Sequence, residues 1–408
     1  MRERVQGWVS VLLVVVLLAV PLAPYALAQG GPVKIGFVFP LTGALALGAV
    51  GSRNAAELAV ADINAAGGVA ALGGAKLEAV FGDSQSDPTT AAREVSNLVN
   101  RSNVTAIMDT FPSGITAVSS QAAERERVPF LAAVSYGKVL PERGFKYYFQ
   151  LQVPAAVAGG FDAEILDSIN KACGGNWKRV GVIHEQTEYG TSFTEIATKK
   201  LQEAGYTITT RIAYDAKSPD LTSQVVRLRE SKPDFVLQTS YLPDSILLKE
   251  TFRRLGLLVP VMESGQKIDP RYVKAVGAAV EGDFTRATWV DSVKGPLQDV
   301  ARRYSQKYGT PFDSVAALVY QGVWVLEAGI EKAKSTDREA VRGALASLKL
   351  PAGDPHVFYG NWNGVAFDEH GVNTTERFLG LQWQDRGWRV VWPANLAETK
   401  PNCATPLR

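Results

Sequence analysis

The chain has 408 residues, which is too long for one ordinary hydrophobic core and suits a protein of two lobes. Its 43 basic and 41 acidic residues leave a formal net charge of +2. This balance supplies neither a basic stripe for nucleic acid nor an acidic tail for a metal or a basic partner, so none of these partners is expected.

Residues 1–28 have the layout of a secretory signal peptide. Arginines near the start precede an apolar run from Val9 to Val20, and Ala26-Leu27-Ala28 fits the small-x-small cleavage rule. We therefore expect cleavage after Ala28 and a mature protein in the bacterial periplasm. A membrane anchor is the alternative, but the apolar run is too short to cross a hydrocarbon core of about 30 Å.

The first half of the chain alternates short β runs with amphipathic helices. Gly67-Gly68 ends the first of these helices, and Asp87-Pro88 begins the second. Such alternation predicts β-α-β units, whose right-handed crossovers build a parallel sheet with both faces covered. The expected strands are Lys34–Phe39, Leu77–Phe81, Val104–Met108 and Phe130–Ala133.

The pattern restarts after Pro154, so a lobe boundary is expected within Phe149–Pro154. A second sheet is predicted from four further strands, at Arg179–His184, Thr207–Tyr214, Phe235–Thr239 and Val259–Met262. Three helices follow with little strand between them and are expected to join the first lobe. They are predicted at about 295–308, 314–332 and 337–348, before a β-like ending at 378–383 and 388–392.

The chain has two cysteines, Cys173 and Cys403. In an oxidising compartment they are able to pair, and such a bridge would tie the C-terminal tail to the body of the protein. Two unpaired thiols are the alternative. We favour the disulfide, although sequence alone does not give the separation of the two residues.

The residues that an enzyme would need are not assembled in this sequence. Only three histidines occur, His184, His356 and His370, and none has a second histidine or a cysteine at zinc-ligand spacing. His184 opens a stretch that lacks the second histidine of a zinc protease, and a structural role is expected for it. There is no Gly-x-Ser-x-Gly elbow, phosphate-binding loop or complete dinucleotide fingerprint. We therefore expect no enzyme, no metal and no cofactor.

A ligand of an open α/β sheet lies beyond the carboxyl ends of the strands. In the first half, the segment 110–116 follows a strand there and contains Phe111 and Ser113 at the start of a helix. Free backbone N–H groups at a helix start suit a carboxylate, and simple N-capping by Ser113 is a compatible alternative. After the next strand come Ser135 and Tyr136, which offer a hydroxyl and an aromatic face.

In the second half, Tyr189 and Tyr241 follow strands at matching ends. Both are expected to close over a solute as flat lids. The alternative for each tyrosine is packing beneath its own loop.

A series of short motifs runs in order along nearly the whole mature chain. They are Lys34–Gly36 leading to Pro40–Gly43, Asp62–Val69, Phe81–Ser84 with Asp87-Pro88, Val128–Phe130, Val180–His184 with Glu188–Gly190, Pro233–Val236 and Leu255–Leu257. On these motifs the chain resembles the leucine/isoleucine/valine-binding proteins, the receptors of branched-chain amino-acid ABC importers. The resemblance implies an α/β fold of the type I periplasmic binding proteins, with two doubly wound, Rossmann-like lobes joined by a three-crossing hinge.

With that fold, lobe 1 is expected to comprise residues 33–151 plus 285–378. Lobe 2 is expected to comprise residues 152–284 plus 379–395, and residues 396–408 form a C-terminal tail.

The resemblance also implies the residues that hold the ligand. The residues that would bind the ligand's carboxylate are Ser113 and Gly114, together with the stretch Ala133–Tyr136. In the turn before Gly114 the family often has two adjacent serines, whereas this chain has Pro112-Ser113. The family's tyrosines of lobe 2 fall on Tyr189 and Tyr241.

The acidic residue that takes an amino acid's ammonium group falls near Gly265, where Glu263 or Gln266 would substitute. An aromatic residue that amino-acid binders carry in lobe 1 is replaced near Leu47. The ligand is therefore expected to be a branched-chain amino acid, an amide or an aromatic acid.

These inferences favour a monomeric solute receptor that partners the membrane permease of an ABC importer. A ligand sensor of the same fold that controls a signalling partner is the main alternative. A two-lobed enzyme such as a glycosyl transferase is a third, and the export signal and absent catalytic residues weigh against it.

Overall fold

A computed structural model describes residues 31–265 and 267–403 of the chain. The predicted signal peptide, its cleavage after Ala28 and the predicted ligand residue Gln266 lie outside these described residues. Within them, no helix is both long and apolar enough to cross a membrane.

The first sheet has five strands in the order β2-β1-β3-β4-β5, and every neighbouring pair is parallel. The strands are β1 Val33–Phe39, β2 Leu77–Asp83, β3 Ala106–Asp109, β4 Phe130–Ala132 and β5 Tyr148–Gln150. The helices between them are α1 Ala46–Ala65, α2 Pro88–Asn100, α3 Ser113–Arg125 and α4 Val139–Glu142.

Local sequence explains how these elements begin and which face they bury. Asp87 caps α2 by accepting a hydrogen bond from the Thr90 N–H, and Pro88 occupies the first turn, where its missing N–H costs nothing. The apolar stripe of α2 is buried against the sheet. Both faces of β1 are covered as well, which is why its sequence is apolar almost throughout.

The second sheet has seven strands in the order β14-β13-β10-β9-β8-β6-β7. Its strands are β6 Arg179–Glu185, β7 Thr207–Tyr214, β8 Phe235–Thr239, β9 Val261–Glu263, β10 Phe284–Ala287, β13 Leu379–Gln384 and β14 Gly387–Trp392. The pairs among β6 to β10 are parallel, whereas β13 and β14 form an antiparallel hairpin at the edge. Its helices are α5 Ala155–Ala172, α6 Glu188–Glu203, α7 Thr222–Glu230, α8 Leu242–Arg254 and α9 Pro270–Val276.

Three later helices pack on the first sheet and share its apolar core. They are α10 Pro296–Tyr308, α11 Ser314–Ala333 and α12 Arg338–Ala346, and a small antiparallel pair follows, β11 Lys349–Pro351 with β12 Gly364–Ala366. We call the first sheet with its helices lobe 1 and the second sheet with its helices lobe 2. The α/β fold with two doubly wound lobes is confirmed.

The chain passes between the lobes three times, at 151–154, at 288–295 and at 367–378. The second passage lies later in the chain than the predicted boundary between the lobes, which was expected between residues 284 and 285. Strand β10 lies wholly in the second sheet, so the crossing follows Ala287. The sequence Phe-Thr-Arg-Ala gave no strand signal because it carries an arginine in a short, otherwise apolar run.

A disulfide joins Cys173, just after α5, to Cys403 near the end of the described chain. The amide groups of Gln382 and Gln384 on β13 donate to the carbonyl oxygens of Asn402 and Lys400, at 2.8 Å and 3.0 Å. The C-terminal tail is therefore attached to lobe 2 by a covalent bond and by hydrogen bonds.

The disulfide joins two residues that are 230 positions apart in the sequence, and it should stabilise the protein considerably. Replacing both Cys173 and Cys403 by alanine is expected to lower the free energy of unfolding by about 2–5 kcal/mol, because the unfolded chain regains the freedom that the bridge removes. Urea denaturation measures this loss. A reductant should lower the stability of the natural protein and leave the double variant unchanged, and equal stability of all these samples would contradict the assignment.

Candidate functional site

The start of α3 faces the gap between the lobes and is not capped by a side chain. The N-cap residue is Pro112, and the hydroxyl of Ser113 does not turn back to the helix. Instead, Ser113 Oγ accepts hydrogen bonds from the N–H groups of Tyr136 and Gly137, at 3.2 Å and 3.0 Å. First-turn N–H groups such as those of Ser113 and Gly114 have no acceptor within a helix, so they are available to an anion.

Ser135 lies behind this helix start, where its hydroxyl is fully used by the protein. Its Oγ lies 2.6 Å from Thr116 Oγ1 and donates to the Thr110 carbonyl oxygen at 2.8 Å. Ala133 is buried, and its N–H donates to the Asp109 carbonyl. These two predicted ligand residues therefore fix the loops after β3 and β4.

Three tyrosine rings lie around the start of α3. Tyr136 comes from lobe 1, and its ring centroid lies 6.0 Å from that of Tyr189, which lies 5.5 Å from that of Tyr241. All three hydroxyls bond to the protein: Tyr189 donates to the Ser264 carbonyl at 3.1 Å, and Tyr241 lies 3.3 Å from Thr187 Oγ1. Burial raises the pKa of Tyr136 to about 12. Because the hydroxyls are engaged, the apolar parts of these rings are what remains for a ligand.

Tyr189 is held by a tight turn at the start of α6. The carboxylate of Glu185 accepts hydrogen bonds from the N–H groups of Thr187 and Gly190, each at 2.5 Å. A Cβ atom on Gly190 would lie 2.1 Å from the Glu185 carbonyl oxygen, so only glycine fits. Glu185 thus supplies the hydrogen bonds at this turn, and α6 begins at Glu188.

Arg286 on β10 is 1% exposed and joins the two lobes. Its Nε lies 2.9 Å from Asp162 Oδ1 of lobe 2, and its Nη1 donates to the Tyr136 hydroxyl of lobe 1 at 3.0 Å. The guanidinium also lies over the rings of Tyr136, Phe193 and Phe378, between 4.4 Å and 4.9 Å from their centroids. Burial raises the pKa of Asp162 to about 6, although the cation opposes this shift.

The same network reaches the first and third crossings. The Gln152 amide donates to the Tyr136 hydroxyl at 2.5 Å, and Glu376 accepts a hydrogen bond from the Val153 N–H. Burial raises the pKa of Glu376 to about 8, while Arg286 and Arg377 favour its charged form. The hinge, the closed lobes and Tyr136 are thus parts of one buried polar network.

A small cavity remains between the start of α3 and the tyrosines. Its free space is about 30 Å³, roughly the volume of one water molecule, so the lobes are closed on each other. Six of the nine predicted ligand residues line it, whereas Gly114 and Ala133 do not, and Gln266 lies outside the described residues. The lining consists of Phe111, Pro112, Ser113, Val134, Ser135, Tyr136, Tyr189 and Tyr241.

No residue in this lining is acidic. Glu263, expected as a substitute for the ammonium-binding acid, turns its carboxylate back on its own loop, where Oε2 accepts from the N–H groups of Gly265 and Lys267. On the other side of Phe111, a second small cavity is lined by Asp269 and Asp313. The described lining of the cavity beside the α3 start therefore has no acidic residue, whereas these two aspartates lie in the second cavity together with Gly265, near which the resemblance places the ammonium group.

The histidines take no part in this cleft. His184 is buried, with Nδ1 2.8 Å from the Glu185 carbonyl oxygen and Nε2 accepting from Arg211 at 3.3 Å. Within residues 31–265 and 267–403, no cluster of three or more His, Cys, Asp or Glu side chains is placed to hold a metal ion.

Comparison with known proteins agrees with this fold. A family model described as periplasmic binding protein matches residues 32–374. The Leu/Ile/Val-binding protein homolog 7 of Brucella suis is 31% identical over 373 residues, which are 88% of this chain and 91% of the relative.

Two solved structures share the fold. A leucine-binding protein from Thermotoga maritima superimposes with a TM-score of 0.77 at 21% identity, covering 88% of this chain and 97% of its own. A solute-binding protein of an ABC transporter from R. palustris, in complex with benzoate, gives a TM-score of 0.76 at 16% identity, covering 88% and 96%.

The buried carboxyl group of Glu376 should make stability depend on pH. Its raised pKa means that the folded protein keeps a proton that the unfolded chain releases, so stability falls as pH rises from about 4.5 towards 8. Glu376→Gln stays neutral and should gain roughly 3 kcal/mol relative to the natural protein between pH 5 and pH 8.

Urea denaturation at the two pH values measures this difference. Glu369→Gln is the matched control, because Glu369 lies on the same crossing with its side chain 83% exposed. A stability difference between Glu376→Gln and the natural protein that is the same at both pH values would show that Glu376 is charged in the fold.

Proposed function

We propose that this chain, which belongs to the periplasmic binding protein family, captures a small carboxylate-bearing solute between its lobes for an ABC importer. The curated relatives and solved neighbours are solute-binding proteins and not enzymes. An exported receptor of this kind would hand its solute to a membrane permease.

One observation carries the proposal: the uncapped start of α3 and the ring of Tyr136 face Tyr189 and Tyr241 across the cleft. The N–H groups of Ser113 and Gly114 would bind a carboxylate, because they are first-turn donors at the positive end of the helix. The faces of Tyr136, Tyr189 and Tyr241 would cover the apolar body of the same solute.

Among the expected ligands, the lining favours an aromatic acid. A branched-chain amino acid brings an ammonium group, and none of the described residues around the cavity is acidic. An isolated buried charge costs free energy unless it is paired. An aromatic carboxylate needs no such partner, and the R. palustris neighbour has benzoate bound.

Capture would work by closure of the lobes. The helix start and Tyr136 belong to lobe 1 and the other two tyrosines to lobe 2, so only the closed arrangement lets one solute contact both sides. A solute that binds the closed form better shifts the population towards it. The permease would then recognise the closed form.

A binding screen tests this proposal. Benzoate should raise the melting temperature of the natural protein more than leucine or benzamide does, because it alone combines a carboxylate with an uncharged aromatic body. Ser113→Ala and Tyr189→Ala should each weaken benzoate binding by about tenfold or more in calorimetric titration, since each removes support for the cleft.

Gln121→Ala on the exposed face of α3 is the matched control and should bind like the natural protein. A larger effect of leucine would overturn the choice of an aromatic acid. Chemical turnover of the bound compound, or unchanged affinity in both cleft variants, would overturn the receptor site itself.

A further inference from the structure

A second and larger groove lies between the lobes, away from the α3 start. Its free space is about 360 Å³, within the usual range for small-molecule sites, whereas the cleft described above keeps about 30 Å³. Lobe 1 and the second crossing contribute Trp289 and Phe312. Lobe 2 contributes Trp383, Trp388 and Arg389.

The walls of the groove are two aromatic pairs, one from each side. Trp289 and Phe312 meet edge to face with ring centroids 5.6 Å apart, and Trp383 and Trp388 meet in the same way at 5.3 Å. Aromatic walls of this kind bury flat apolar molecules well, since ring faces and edges contact each other favourably.

Polar groups without partners also lie on residues that line the groove. Trp289 is 2% exposed, and neither its indole N–H nor that of Trp388 has an acceptor among the described residues. Buried donors normally find an acceptor, and leaving one unpaired costs about 1–3 kcal/mol. Both nitrogen atoms are enclosed by the protein, so the charged side chains along the groove, and not these donors, decide which ligand fits.

The charged side chains of the groove indicate which polar group a ligand should carry. Arg389 is half-buried, and no carboxylate in the described chain lies within ion-pair distance of it. Asp313 also lines the groove, but it caps α11 by accepting from the Ala316 N–H at 2.7 Å. Asp291 is exposed in the groove and forms no ion pair with Arg389. An anionic group would therefore be attracted by the arginine and repelled by Asp291, so it should lie at the Arg389 end of the groove.

We propose that this groove is a second ligand site, specific for a flat aromatic anion whose charged group binds Arg389 and whose ring lies between the two aromatic pairs. The walls come from both lobes, so an occupant contacts both and stabilises the closed arrangement. Binding in the groove and in the cleft is then coupled, and each ligand raises the affinity of the other by the same factor.

Equilibrium dialysis of 2-naphthoate tests the groove. The natural protein should bind the anion at an Arg389-dependent site, and Arg389→Gln should weaken that binding by at least tenfold, while Arg386→Gln leaves it unchanged. Arg386 is the matched control because it carries the same charge on the same hairpin and does not line the groove. Trp388→Phe keeps an aromatic ring but makes this wall of the groove smaller, and about a threefold loss is expected.

Two further arms separate this site from the cleft. A variant carrying both Ser113→Ala and Tyr189→Ala should retain the Arg389-dependent binding, and 2-naphthylmethylamine, with the opposite charge, should bind at least tenfold more weakly than 2-naphthoate. Equal binding by Arg389→Gln and Arg386→Gln, or tighter binding of the amine, would overturn the proposal. Loss of all naphthoate binding in the double cleft variant would also overturn it, whereas failure of the cleft proposal would leave the Arg389-dependent site intact.

Discussion

The buried guanidinium of Arg286 is the constraint on which the rest of the structure depends. A charge that is 1% exposed has to be paired and hydrogen-bonded, and removing one partner of such a pair commonly costs about 3–5 kcal/mol. Its partners come from different parts of the chain: Asp162 from α5 of lobe 2, the Tyr136 hydroxyl from lobe 1 and the Ser264 carbonyl from the loop after β9. Satisfying this one cation therefore fixes how the closed lobes meet.

The cleft inherits its chemistry from that arrangement. Because Arg286 and Gln152 engage the Tyr136 hydroxyl, the tyrosine presents its ring and not its O–H to the cavity. The N–H groups of Tyr136 and Gly137 engage Ser113, which leaves the start of α3 without a cap. These hydroxyl and N–H groups are thus engaged within the protein. A solute is left with the N–H groups at the start of α3 and with the three tyrosine rings.

Much of this fold could be predicted from hydrophobic periodicity, because buried parallel strands such as β1 are apolar on both faces and helices such as α2 bury a regular stripe. Local patterns failed where a distant residue decides the outcome. Strand β10 was missed because its arginine is neutralised by Asp162, more than a hundred residues away in the chain. The start of α6 depends on the carboxylate of Glu185, which supplies the hydrogen bonds that a capping residue would normally give.

The candidate site was predictable in the same uneven way. The ends of parallel strands lie at one edge of a sheet, so Phe111, Ser113, Tyr136, Tyr189 and Tyr241 could be grouped from sequence, and all five line one cavity. Which of their atoms are free depends on tertiary hydrogen bonds that no spacing rule contains. Arg286 and Asp162 carried no recognisable motif, and the short strand that holds the arginine gave no signal of its own.

The most direct test of this account is the affinity of Tyr136→Phe for the carboxylate that most stabilises the natural protein, measured by calorimetric titration. The substitution keeps the ring that faces the ligand and removes only the hydroxyl that Arg286 binds across the lobes. A hydrogen bond to a charged group contributes about 1.5–3 kcal/mol, so affinity should fall by roughly tenfold or more although no ligand contact is lost. Affinity equal to that of the natural protein would contradict the claim that Arg286 holds the closed lobes through Tyr136.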